Sequence, residues 1–131
     1  MMRTKPVGYL ASPYQSGDRL SNAAFQCRVM NQMLDDGIVL PFVPLLNHFA
    51  DAPHRTEQDW LTYDNEMIEA IRPKWILRLN SPVATYSKGA DAEVELVKML
   101  DPYAIVVVQQ DDETWLEALE RLYQCVEELS E

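Results

Sequence analysis

The sequence predicts an α/β domain, a parallel sheet with helices on both faces, and three observations carry that reading. Short apolar runs alternate with segments of helical period in the order β-α-β-loop-α-β-α-β-α, an alternation that right-handed crossovers turn into a parallel sheet. Gly37 and Pro73 stand where helices should stop. The length of 131 residues, 47% hydrophobic and 24% charged, suits one globular domain over residues 1–131 with a single core.

Val7 to Ala11 forms the first apolar run, closed by Ser12-Pro13, because proline lacks the N–H a ladder needs. From Asp18 or Ser21 to Asp36, Phe25, Val29, Met33 and Leu34 recur at helical spacing, with Gly37 in the position that favours a left-handed residue. Ile38 to Phe42 reads as a second strand whose Pro41 suits an edge or a strand end. Val43 to His54 has no period, and a loop this long inside a small domain is often functional.

A helix follows from Thr56 to Ile71, opened by a Thr56/Asp59 capping pattern and broken at Pro73. Trp75 to Leu79 is the third strand, Ala90 to Leu100 a helix, Ala104 to Val108 the fourth strand, and Trp115 to Leu129 the last helix. That helix lines up Trp115, Leu119, Leu122, Val126 and Leu129, a stripe to lay on the sheet.

Charge narrows the partners. Eleven Lys and Arg against 21 Asp and Glu leave a formal charge of -10, which repels phosphate backbones and anionic lipid, so neither nucleic acid nor a membrane is expected. A small anion in a pocket with local donors is compatible with that field. The opening residues through Tyr14 read as a strand and loop rather than a signal peptide or membrane span. Cys27 and Cys125, with apolar helical neighbours and no CxxC spacing, read as buried free thiols, in keeping with a cytoplasmic location. His48 and His54 lack metal-ligand spacing, and no GxGxxG or GxxxxGK[ST] occurs, so neither a metal nor a cofactor is expected.

Ligands of open α/β sheets bind at the carboxyl ends of the strands. The loops there contribute Ser12, Tyr14, Ser16 and Arg19, then Asn47 and His48, then Ser81 and Ser87, then 109–112, with Tyr9 near the end of the first strand. Within "SKGADAEVEL" the helix period separates three evenly spaced carboxylates. Glu93 shares a face with Leu96, Val97 and Leu100, whereas Asp91 and Glu95 share the solvent side with Lys98. A helix starting near Ala90 would put Glu93 in the first turn, where free N–H groups and the dipole favour its ionised form, as a carboxylate nucleophile requires. Asp64 lies on the stripe of Trp60, Met67, Ile68 and Ile71, where desolvation raises a carboxyl pKa, the profile of a general acid. The bland reading of either group is a structural carboxylate, for example a partner for Arg78.

"YLASPY", "WLTYDNEMI" and "SKGADAEVEL", in this order and spacing across residues 7 to 108, are similar to the nucleoside 2-deoxyribosyltransferase-like superfamily, which breaks N-glycosidic bonds of nucleosides or nucleotides. The resemblance implies a flavodoxin-like (Rossmann-like) three-layer sandwich with a parallel sheet of four to five strands. It places the family's glutamate nucleophile on Glu93, the aspartate that assists at the base on Asp64, and the tyrosine that orients nucleophile or sugar on Tyr9. Ser87, two residues before Gly89 where free-nucleoside transferases tend to carry aspartate, points to a nucleoside 5′-monophosphate. Ser87 and Gly89 would then bring donors to the substrate, with Ser12, Tyr14, Ser16, Arg19 and His48 lining the pocket. Arg72 stands where the family commonly has an acidic residue, and 100–103 departs from its usual glycine-proline turn. Family active sites often borrow residues from a neighbouring chain, so a homo-oligomer, dimer or higher, is implied.

The expected activity is therefore hydrolysis or transfer at an N-glycosidic bond. A non-catalytic nucleotide-sensing module and a purely structural interaction domain are the competing classes.

Overall fold

The computed structural model describes residues 4–14, 17–44 and 55–129. Four strands, β1 (Val7–Ala11), β2 (Leu40–Phe42), β3 (Trp75–Arg78) and β4 (Ile105–Val108), pair in parallel in the order β2-β1-β3-β4. The helices are α1 (Arg19–Asp36), α2 (Glu57–Ile71), α3 (Lys88–Leu100) and α4 (Trp115–Leu129). This is a flavodoxin-like three-layer α/β fold, with the strand order reversing between β1 and β3. In that register Tyr9 lies beside Ile76, and Ala11 beside Arg78 at the carboxyl edge.

Strand residues alternate between faces, so each strand feeds two cores. Leu10, Trp75, Leu77 and Val107 pack with Phe25, Val29 and Met33 of α1 and Leu119 and Leu122 of α4. Tyr9, Ala11 and Ile76 turn the other way, towards Ile68 of α2 and Ala90, Val94 and Val97 of α3. Tyr123 ties α4 to α1 by donating to Asp36 at 2.7 Å. The α4 stripe does face the sheet and its neighbours, except that Leu129 is exposed. Cys27 and Cys125 are free thiols, half-buried rather than buried, because both stand at the margin of a helix's packed face.

Local chemistry accounts for the helix ends. Asp18 caps α1 by accepting from the Leu20 N–H at 3.1 Å, and Gly37, at φ 67°, closes it with its N–H on the Met33 carbonyl. Thr56 and Asp59 form a reciprocal capping box on α2. That helix ends at Ile71, and Arg72, just before Pro73, caps it in the left-handed region at φ 52°. Pro41 lies in β2, an edge strand, where the missing N–H is tolerated.

Candidate functional site

The face of β1 towards α2 and α3 brings three polar groups together. Tyr9 is fully buried, and Asp64 and Glu93 are each only 6% exposed. Each carboxylate sits on its helix's inward stripe: Asp64 between Trp60 and Ile68 of α2, Glu93 between Ala90 and Val97 of α3. The Tyr9 hydroxyl donates to Glu93 Oε2, and the Asp64 carboxyl lies close enough to act on both groups electrostatically.

Gly89 helps make that approach possible. It is the second residue of α3, and a β-carbon there would come within 3.0 Å of Leu61 Cδ2 on α2. Gly89 thus belongs to the first turn of the helix rather than to a loop. A cavity of about 320 Å³ lined by Gln58, Leu61, Lys88, Gly89 and Ala92 flanks this contact.

The electrostatics differ from the sequence-based expectation. Ser87 caps α3 by accepting from the Ala90 N–H at 3.1 Å, so the helix begins at Lys88 and Glu93 is in its second turn. Glu93 is therefore beyond the unpaired N–H groups of the helix start. Burial, reinforced by the negative charge of Asp64, pushes its pKa up to about 8, with the Tyr9 hydrogen bond and the Arg78 charge opposing. The Tyr9 phenol is held well above its ordinary value, by burial first and then by Glu93 and Asp64. At neutral pH a proton accordingly remains on Glu93, beside the Asp64 carboxyl and the Tyr9 phenol.

The remaining candidates are placed elsewhere. Ser12, at the end of β1, is buried and its Oγ accepts from Gln26 Nε2 of α1 at 3.0 Å. Tyr14 presents its carbonyl to Asn22 Nδ2 at 3.0 Å, and the Arg19 guanidinium lies over its ring at 5.7 Å. These contacts attach Ser12 and Tyr14 to α1, which begins at Arg19 and packs on the opposite side of the sheet from the carboxylates. Ser87 uses its oxygen as a helix cap, which leaves the hydroxyl hydrogen as a donor. Ser16 and His48 lie outside the described residues.

One residue carries more of the site than its sequence neighbours suggest. Arg78, 4% exposed at the end of β3, pairs through Nε with Asp91 Oδ1 at 2.9 Å. Asp91 is thus the partner of that buried cation and not merely solvated helix surface, and Glu93 is not the ion-pair partner of Arg78. The signal was an arginine ending an otherwise apolar strand, "WILR", which demands a carboxylate or carbonyl partner. Gln109 similarly links the strand ends, accepting from the Asn80 N–H at 2.9 Å and donating to the Glu113 carbonyl at 2.8 Å.

Among the described residues no group of three or more His, Cys, Asp or Glu side chains could hold a metal ion, and no helix is long and apolar enough to cross a membrane. The chain matches no protein-family model, no curated protein and no solved structure.

Proposed function

We propose that this chain cleaves the N-glycosidic bond of a nucleoside or nucleoside 5′-monophosphate, passing the sugar to water or to a second base. The observation that supports this reading is the buried cluster of Asp64, Glu93 and Tyr9 beside the strand-order reversal, with the Tyr9 hydroxyl donating to Glu93 and the Asp64 charge acting on it. The route proposed is a covalent, retaining displacement, for which two carboxyls about 5–5.5 Å apart are needed.

In the proposed reaction a Glu93 oxygen attacks the anomeric carbon as the bond to the base nitrogen breaks, and the proton held by the pair goes to the departing base through Asp64. Water then attacks the anomeric carbon of the glycosyl ester, giving its proton to the Asp64 carboxylate and releasing Glu93. Tyr9 donates to whichever carboxylate is ionised, and so keeps Glu93 turned towards the sugar. A second base in place of water gives transfer.

The test is a panel of nucleosides and their 5′-monophosphates, with and without an acceptor base, assayed for released base by chromatography. Release from at least one member is expected. Measurable nucleotide binding without any released base, after long incubation with concentrated protein, would assign the chain to the non-catalytic sensing class instead.

The pH dependence has a definite sign. A pair that retains its proton up to about pH 8 has its acid only below that value, so base release should decline as pH rises through about 8. It should also fall in acid, once both carboxyls are protonated and no nucleophile remains. A kcat that goes on rising through pH 9 would contradict the shared-proton mechanism.

A further inference from the structure

We propose that Arg78 is a positioning residue for the Tyr9–Asp64–Glu93 site, its guanidinium fastening the end of β3, the segment after it and the first turn of α3 into one rigid unit. The inference rests on the proposed activity for its role, and on geometry for its content.

Three partners surround the guanidinium. Nη1 donates to the Leu79 carbonyl, Nη2 to the Thr85 carbonyl at 3.2 Å, and Nε to Asp91 at 2.9 Å. Between these anchors the chain turns back on itself, with Ser81 and Ala84 exchanging backbone hydrogen bonds at 2.8 and 3.4 Å. Thr85 lies two residues before Ser87, the cap of α3, and Asp91 lies two residues before Glu93. The cation therefore holds the start of α3 at two points, one on each side of its cap. A rigid planar fork holds three such partners in fixed directions, whereas a lysine ammonium is a point charge on a flexible stem.

The anchoring bears on Glu93 because α3 carries it to β1. Ala11 is the register partner of Arg78, so the cation is on the strand next to that of Tyr9. The charged and titratable groups around Glu93 are Tyr9 on β1, Asp64 on α2 and Arg78 on β3. Arg78 is the cation among them and favours the ionised, nucleophilic form of Glu93. Loosening α3 by a fraction of an ångström would misalign attack, for which a displacement of 1 Å can cost about 100-fold in rate.

The test uses the full chain as Arg78→Met, Arg78→Lys and Asp91→Ala, assayed on the same panel of nucleosides and 5′-monophosphates as the wild type. The ¹³C signal of the Glu93 side-chain carboxyl is titrated in parallel. Arg78→Met is expected to lower kcat by about 100-fold with KM changed less than about threefold, and to move the Glu93 midpoint upward by about one pH unit. Arg78→Lys should recover part of both effects, and Asp91→Ala should lower kcat about tenfold. A folded Arg78→Met with wild-type kcat and an unmoved Glu93 midpoint overturns the inference. Should Arg78→Met fail to fold, Asp91→Ala decides, since the Asp91 side chain is 61% exposed and its removal spares the core: wild-type kcat there overturns the proposal. Should the wild-type protein release no base, the proposed activity fails separately. The Glu93 midpoint in Arg78→Met, or in Arg78→Lys should Arg78→Met not fold, then decides for Arg78 alone, upward movement sustaining it and none overturning it.

Discussion

Replacing Glu93 by glutamine is expected to abolish base release, by about 10⁴-fold or more, and at the same time to stabilise the fold. The two effects have one origin. A carboxylate buried beside Asp64 and Tyr9 is positioned for attack and costly to ionise. Its folded-state pKa of about 8 stands above the unfolded value of 4.5. Between those values the unfolded chain has lost the proton and the folded chain still binds it, so stability declines as pH rises through that window.

The full penalty is reached above about pH 8, on the order of 3–5 kcal/mol by the usual conversion. Glutamine is close in shape and accepts the Tyr9 hydrogen bond without a titrating proton. The advantage of Glu93→Gln should therefore be small at pH 4, grow through pH 6 and be largest at pH 8. Denaturant unfolding of both proteins at these values measures it, and two curves that run parallel across the range would sink the explanation. Glu95→Gln is the control for activity, because Glu95 is exposed on α3 and pairs with Lys98 at 3.3 Å. Its base release should stay within about twofold of wild type.

That prediction also marks how far the sequence can be read. The faces of Asp64 and Glu93 were legible because the period of a helix is local, and so were the caps at Thr56 and Gly37, which need only neighbours in sequence. The proton balance was not. It depends on where α3 starts, and the Ser87 cap starts the helix at Lys88, two residues earlier than apolar spacing suggested. It also depends on Asp64 and Tyr9, brought in from other elements. The bond between Arg78 and Asp91 was hidden for a similar reason, since Asp91 by its spacing belongs to the solvent face and reaches the cation from there. Ser12 and Tyr14 were assigned to the ligand from their place after β1, but their bonds run to Gln26 and Asn22, buried polar residues inside α1 that the apolar pattern alone does not mark.

Gly8→Ala is expected to prevent stable folding, although alanine is otherwise a mild change. Gly8 is next to Tyr9 in β1, turned to the opposite face, where its register partner is Trp75. The indole lies across β1, fully buried, with its N–H on the Pro6 carbonyl at 2.9 Å. A β-carbon on Gly8 would stand 1.9 Å from the ring, well inside contact distance, and the ring cannot swing aside without losing that hydrogen bond and entering a packed core. Overpacking commonly costs about 1–3 kcal/mol. Here the clash pits a backbone against a large anchored ring, so a loss of roughly 4 kcal/mol or more is anticipated, enough to unfold a domain of marginal stability. A second substitution separates steric conflict from any intrinsic preference for glycine. Trp75→Leu alone should destabilise by removing a buried ring, about 3 kcal/mol. In the double variant the leucine leaves room for the new methyl, so Gly8→Ala/Trp75→Leu should be more stable than Gly8→Ala by itself. A double-mutant cycle measured by thermal unfolding reads this directly, and additive losses would show that the indole is not what reserves position 8 for glycine. Because Tyr9 follows Gly8 in the same strand, any variant that folds by shifting β1 should also lose base release, which connects this packing contact to the site on the other face of the sheet.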